Sequence, residues 1–299
     1  MNIVLTGSLG NISKPLTQEL VKNGHGVTVI SSKAERQKDI EALGAKAAIG
    51  NMQDVDFLTK TFSGADVVYC MEAIAMAEMF NQNFDIVTAY INIANKYKQA
   101  IEQNGIKKVV HLSSIGAHAA SGFGLMNMHY EAEKVMSNLP EDVSIKFMRP
   151  VGFFSNLYRS VQSIKEQGAI ISNYGGDKKE PWVSPKDIAA AIAEAMESPF
   201  SGRTIRYIAS DVVSPNEIAK ALGSAIGKPE LKWIAIPDEQ LLNGMLSMGM
   251  NEIIAKGFIE MQAKQGTGEI YEDYNQHKPE LGNVKLADFA NEFTVAYNK

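Results

Sequence analysis

Cysteine is almost missing from this chain: its 299 residues hold one, Cys70. That excludes an intramolecular disulfide and leaves no cysteine pair spaced for a metal. Cys70 ends an apolar, strand-like run and reads as a small buried hydrophobe. Long hydrophobic runs are also lacking, since no stretch approaches the roughly 18 to 20 apolar residues that a membrane-spanning helix needs. The first apolar run already lies within residues 1 to 6, where a signal peptide would have to be, so a soluble cytoplasmic protein is expected. Nor is there a surplus of positive charge. The 29 Lys and Arg are scattered through a chain of net charge -5, and without a basic stripe nucleic acid is not expected as a partner. Repeats, low-complexity tracts and flexible linkers are absent as well.

What the chain does have is regular alternation. Short apolar runs recur at Ile3–Thr6, Val27–Ile30, Lys46–Ile49, Val67–Tyr69, Val109–Leu112 and Ile145–Met148. Helix-like segments separate them, among them Glu35–Leu43, Val55–Phe62 and Phe84–Gln103, which stop at or near Gly44, Gly64 and Asn104-Gly105. Uniformly apolar strands joined by helical crossovers predict an α/β fold, a doubly wound parallel sheet of Rossmann type with helices on both faces. After residue 150 the regularity fades. The apolar helix Ser184–Met196 and the strand-like Thr204–Ala209 return to the core, while Pro215–Ile226 and Gly244–Gln265 read as further helices. The expected organisation is therefore a dinucleotide-binding domain of residues 1–150 plus about 180–210. A smaller, interleaved C-terminal α/β subdomain of about 151–179 plus 211–299 faces the substrate.

The sharpest motif is the turn Thr6-Gly7-Ser8-Leu9-Gly10-Asn11-Ile12-Ser13 directly after the first strand. Glycines there let the backbone approach a pyrophosphate, and the helix that follows offers free N–H groups and a positive dipole end. Gly7, Ser8, Gly10, Asn11 and Ile12 are thus expected to cradle a dinucleotide, although Ser13 stands where a third glycine is usual. An acid at the end of the second strand would accept hydrogen bonds from a ribose 2′-OH. Here Ser31, Ser32, Lys33 and Arg36 follow instead, and hydroxyls with cations suit a 2′-phosphate. NADP is favoured over NAD, with Ser32, Lys33 and Arg36 as contacts, the other reading being a solvated loop. Asn51 and Asp54 stand where the chain passes an adenine, or else cap the helix near Val55. Met71, just past the fourth strand, joins the expected cofactor contacts.

Ser113 and Ser114 end the fifth strand, and Tyr130 and Lys134, four apart, share one face of the next helix. A lysine beside a phenol favours the phenolate and makes the tyrosine a usable acid or base. Both segments lie at the carboxyl ends of the strands, where such folds bind ligands. Tyr130 is read as the proton donor and Lys134 as its partner, with Ser113 or Ser114 orienting a carbonyl or merely satisfying backbone groups. His129 and His118 are neighbours, but a lone histidine beside a helix is more often structural, and neither is counted as catalytic. No metal site is expected.

These segments, with Arg149-Pro150 to Asn156, Pro181-Trp182-Val183-Ser184, Asp187 and the terminal Leu286–Phe293 run, resemble the NmrA-like group of atypical short-chain dehydrogenases. The resemblance implies an extended Rossmann fold, NAD(P) binding, and Lys134 on the nicotinamide ribose. It also implies closure of the cleft by the segment holding Pro150 and Phe153. It does not imply one activity, because the wider group includes reductases, epimerases and non-catalytic redox sensors. Phe123, Leu125, Met126, Phe153, Phe154 and the Met-rich Leu242–Met250 suggest apolar cleft walls, which suit a quinone or other small carbonyl substrate. The leading expectation is an NADP(H)-dependent reductase. The alternatives are a redox-sensing binding protein and, third, a nucleotide-sugar epimerase or dehydratase. A homodimer through the long helices is the default expectation for assembly.

Overall fold

The computed structural model describes residues 1–299, and its first half alternates strand and helix throughout. β1 (Asn2–Leu5), α1 (Ser13–Lys22), β2 (Gly26–Ser31), α2 (Gln37–Ala42), β3 (Lys46–Ile49) and α3 (Val55–Phe62) form the first wing. β4 (Val67–Cys70), α4 (Ile86–Asn104), β5 (Lys108–Leu112), α5 (Asn127–Ser137) and β6 (Ser144–Pro150) form the second. All six strands are parallel, in the order 3-2-1-4-5-6, so the chain reverses direction between β1 and β4. That reversal opens the crevice in which folds of this kind hold ligands. The sheet is doubly wound, as the sequence alternation predicts.

Beyond β6 come β7 (Gly152–Phe153), α6 (Val161–Gln167), β8 (Ala169–Ser172), β9 (Glu180–Val183) and α7 (Pro185–Glu197). Next, β10 (Arg203–Ile208) adds a seventh parallel strand beside β6. The remainder is β11 (Asp211–Val213), α8 (Pro215–Ala225), β12 (Lys232–Ala235), α9 (Asp238–Ser247), α10 (Glu252–Thr267), α11 (Glu272–Gln276) and α12 (Leu286–Tyr297). β7, β9 and β11 make a small sheet, and β8 pairs with β12.

Each face of the main sheet carries its own apolar core. Ile3, Leu5, Val110 and Leu112 pack with α1 and α7 on one face. Val4, Val68, Cys70 and Val109 pack with α3, α4 and α5 on the other. A third core joins Phe154, Trp182, Leu222, Phe289 and Phe293 in the C-terminal lobe. Phe154 is fully buried there, stacked between Trp182 and Phe289 at 5.8 and 5.2 Å, so it is not the cleft wall expected from sequence. The single helix expected over Gly244–Gln265 is two. Gly249 takes a left-handed φ of +83°, and the Asn251 side chain accepts from the amides of Ile253 and Ile254 to start α10 afresh.

One buried ion pair binds these parts. Arg149, on β6, donates from Nε and Nη2 to Glu133 of α5 at 2.9 and 2.6 Å. Its Nη1 reaches Tyr207 of β10 at 3.2 Å and Asp273 of α11 at 3.5 Å, and Nη2 also reaches the Ala117 carbonyl at 3.3 Å. Burial works against the guanidinium charge, but the hydrogen bonds and charge of Glu133 outweigh it and raise the Arg149 pKa. Removing one partner of a buried pair leaves the other uncompensated, so Glu133→Ala should cost about 3 kcal/mol of stability, read as a lower urea midpoint at unchanged slope. A loss below about 1 kcal/mol, the size of an exposed pair, would show that Arg149 does not depend on Glu133.

Candidate active site

Gly7 opens the turn after β1 with φ +86°, and Ser8 follows with φ +55°, the only residue other than glycine with positive φ. A Cβ on Gly7 would lie 2.4 Å from the Met71 sulfur and 2.8 Å from Ser13 Oγ. Glycine is therefore demanded twice, by conformation and by space. Met71 reaches this point from the end of β4, across the reversal, with its amide donating to Thr6 Oγ1 at 2.9 Å and its carbonyl accepting from Tyr97 at 2.7 Å. Ser13, in the place of a third glycine, donates its hydroxyl to the Thr6 carbonyl at 3.1 Å, which keeps α1 close to β1.

α1 begins with no side-chain cap and no acid in its first turn, and the amides of Asn11 and Ile12 find no acceptor within the protein. Free N–H groups at a positive dipole end, beside a turn without side chains, fit a pyrophosphate. The Ser8 hydroxyl donates to Ser31 Oγ at 2.9 Å, and the Lys33 amide donates to the same oxygen at 3.2 Å. Ser31 is thereby buried inside the turn. Ser32 and Lys33 stand exposed beside it, and Arg36, also exposed, leans on Asp39 at 3.5 Å. Asn51 accepts from the Gln53 amide, and Asp54 caps α3 through the amides of Asp56 and Phe57. Asp54 thus takes the helix-cap role, one of its two sequence readings.

Past β5 the ladder continues, with the Ser113 amide donating to the Met148 carbonyl at 2.8 Å and that of Ile115 to Pro150 at 2.9 Å. Side chains therefore go on alternating, and Ser113 shares the α5 side of the sheet with His111. Its hydroxyl is buried without a partner, whereas Ser114 donates to the Met126 sulfur at 3.3 Å. Pro150 ends β6, and Phe153, half-buried in β7, pairs with Val183 beside Gly152, which packs near Trp182.

Tyr130 and Lys134, expected to act as a pair, share no hydrogen bond in this structure. Met128, Ala132, Glu133 and Met136 are the buried residues of α5. At about 100° per residue, His129 lies near that stripe, while Tyr130 and Lys134 lie further round the helix, Tyr130 half-buried like His129 and Lys134 exposed. Lys134 has 61% of its side chain exposed and pairs with Glu131 at 3.4 Å. No hydrogen bond joins Tyr130 to Lys134, Ser113 or Ser114. The inward positions four apart are instead His129 and Glu133, one residue earlier.

Behind them lies a buried acid-base group invisible to motif reading. Glu72 accepts from His111 Nε2 at 3.0 and 3.1 Å, with both side chains fully buried. Burial pulls the His111 pKa down, but the charge and hydrogen bond of Glu72 outweigh it and the net shift is upward. His129 packs edge-on to Tyr90 of α4 at 5.2 Å, and burial pushes its pKa down to about 4 against the pull of Glu72. The hydroxyl of Tyr69 and Nδ1 of His111, His118 and His129 are all buried without protein partners, as is Ser113 Oγ. Such atoms are rare in folded proteins, and Ser113 and His111 lie at the carboxyl end of β5.

Residues 1–290 match the NmrA-like family. Among curated proteins the chain is similar to the NAD(P)H azoreductase of Xenophilus azovorans, 24% identical over 262 residues, 87% of this chain and 86% of that protein. Among solved structures it is similar to the NADPH-dependent quinone oxidoreductase of Escherichia coli in complex with NADPH. That likeness has a TM-score of 0.80 at 18% identity, over 97% of this chain and 99% of the other. It is also similar to a nucleoside-diphosphate-sugar epimerase from Staphylococcus aureus, with a TM-score of 0.76 at 16% identity, over 97% and 100% of the two chains. At these identities the structures share the fold.

Gly7→Ala should cost about 1–3 kcal/mol of stability, because alanine must both adopt the left-handed φ and displace Met71. It should also weaken dinucleotide binding in a fluorescence titration. Unchanged affinity would place the pyrophosphate elsewhere.

Proposed function

The chain belongs to the NmrA-like family, and on that premise we propose that it is an NADP(H)-dependent reductase of a small apolar carbonyl or quinone. The observation that carries this reading is the turn at Gly7 and Ser8, with the unpaired amides of Asn11 and Ile12 beside it. Exposed Ser32 and Lys33, with no acid at the end of β2, favour NADP over NAD. Gly7, Ser8, Gly10, Asn11 and Ile12 would hold the pyrophosphate, and Asn51, Met71, Pro150 and Phe153 would line the rest of the cofactor cleft. Arg36 would reach a 2′-phosphate by leaving Asp39, a weak exposed partner. The azoreductase and the NADPH-bound quinone oxidoreductase among the similar proteins support a reductase.

When bound, the nicotinamide supplies hydride to the substrate. The protein's own share is to hold the substrate oxygen as it gains charge and to keep the cleft apolar. Half-buried Phe123, Leu125 and Met126 suit that second task, since they pack against the two main cores. A reduced quinone can take its protons from water, so no phenol is required. The lack of a hydrogen bond between Tyr130 and Lys134, which pairs with Glu131 instead, favours a mechanism that does not depend on the phenol. An epimerase needs a base at the sugar hydroxyl, and the absence of a hydrogen-bonded Tyr130–Lys134 pair gives that reading less support.

The test is oxidation of NADPH and of NADH by purified protein with a panel of quinones, aldehydes and azo dyes. Faster oxidation of NADPH with at least one acceptor is expected, and Tyr130→Phe should keep its rate within about threefold, as expected of a residue outside the reacting site. Tight NADPH binding with no turnover would favour a redox sensor instead. Loss of turnover in Tyr130→Phe with cofactor binding intact would restore the phenol as proton donor.

A further inference from the structure

Resting on the reductase reading, we propose that His129, not Tyr130, is the side chain of α5 that meets the substrate, donating a hydrogen bond from Nε2 to its oxygen. Helix phase is the first reason. His129 and Glu133 lie four apart on the inward side of α5, and the Glu133 contacts to Arg149 at 2.9 and 2.6 Å fix that phase. Position along the helix is the second. His129 is the third residue of α5, so it sits at the end nearest the carboxyl edge of the sheet, where the crevice opens.

The chemistry of the ring is the third reason. Neither ring nitrogen has a protein partner. Nδ1 is buried, while the residue as a whole keeps some exposure and Nε2 is not among the sealed atoms. Burial holds the ring neutral near pH 7, so it has one N–H to give and one lone pair. A neutral imidazole is a suitable electrophile toward a carbonyl oxygen, because it donates without carrying a buried charge. Ser113 Oγ, on the same side of the sheet, is sealed as well as unpartnered, so His129 is the one donor assigned. Tyr90, edge-on at 5.2 Å, holds the ring in place.

The step balances without consuming the histidine. Two electrons and one hydrogen reach the substrate as hydride, the oxygen takes the negative charge and is held by the His129 N–H, and water then protonates it. The two electrons would come from bound NADPH, with the oxidised cofactor as the other product. His129 acts as a stabiliser of charge rather than as a source of the proton.

The test compares His129→Leu, His129→Gln and the wild type at saturating NADPH with 1,4-naphthoquinone varied. Leucine fills the site without a donor and should lower kcat about 100-fold, the usual scale for a lost oxyanion donor, while NADPH affinity and Tm hold. Glutamine, which keeps an N–H, should recover to within about tenfold of wild type. Naphthoquinone binding to the protein loaded with NADP⁺, where no electrons move, is measured alongside by calorimetry and should weaken several-fold in His129→Leu. Wild-type kcat in a folded His129→Leu variant, or equal quinone binding in both proteins, would overturn the assignment. So would a loss of rate that only follows Tm or NADPH affinity. Absence of turnover in wild type with quinone binding that still depends on His129 would remove the reductase reading and leave the contact standing. No quinone binding to wild type would remove both.

Discussion

The guanidinium of Arg149 fixes more of this molecule than any other single group. It rises from the end of β6, where the cleft begins, and its donors reach Glu133 on α5, Tyr207 on β10, Asp273 on α11 and the carbonyl of Ala117. A buried charge with several partners tolerates few arrangements, because each lost partner leaves an unpaired group in a low-dielectric setting. α5 is therefore locked in rotation, the loop after β5 is held down, and the C-terminal lobe is tied to the edge of the sheet. The approach of Gly124 to α10, where a Cβ would lie 2.0 Å from the Gly257 carbonyl, fastens the same loop from outside.

A second constraint lies at the reversal between β1 and β4. Gly7, Ser13 and Met71 occupy a space too small for one more carbon, so the departure from three glycines is compensated locally. Ser13 fits because its hydroxyl has the Thr6 carbonyl to bond, and Gly7 must then stay glycine because Ser13 and Met71 fill the room a side chain would need. The turn keeps its close backbone and its free amides. Nothing in that arrangement weakens the case for a bound pyrophosphate.

The strands and the glycine turn were legible in the sequence because both are local. Buried parallel strands must be apolar on both faces, and a left-handed turn needs glycine, so Ile3, Val27, Val67 and Gly7 announce themselves. The phase of α5 was not legible. Tyr130 with Lys134 and His129 with Glu133 have the same spacing one residue apart, and chemistry alone prefers the first pair. The choice between them is made by Arg149, which is distant in sequence, and by the buried Met128, Ala132 and Met136. The Glu72–His111 pair was hidden for the same reason, joining β5 to the segment just past β4 across a separation of 39 positions. The turn at Gly249 and Asn251 was legible in residue type, yet a long apolar pattern over Gly244–Gln265 outweighed it.

Whether α5 turns His129 rather than Tyr130 toward the ligand cleft can be read from the reactivity of introduced thiols. The native Cys70 is buried and gives little background. His129→Cys, Tyr130→Cys and Lys134→Cys would each be treated with a maleimide, with and without NADP⁺ and naphthoquinone. Protection several-fold at position 129, with positions 130 and 134 modified at the same rate throughout, is the predicted result. Protection at 130 and 134 with none at 129 would contradict the account and return the tyrosine and lysine to the site.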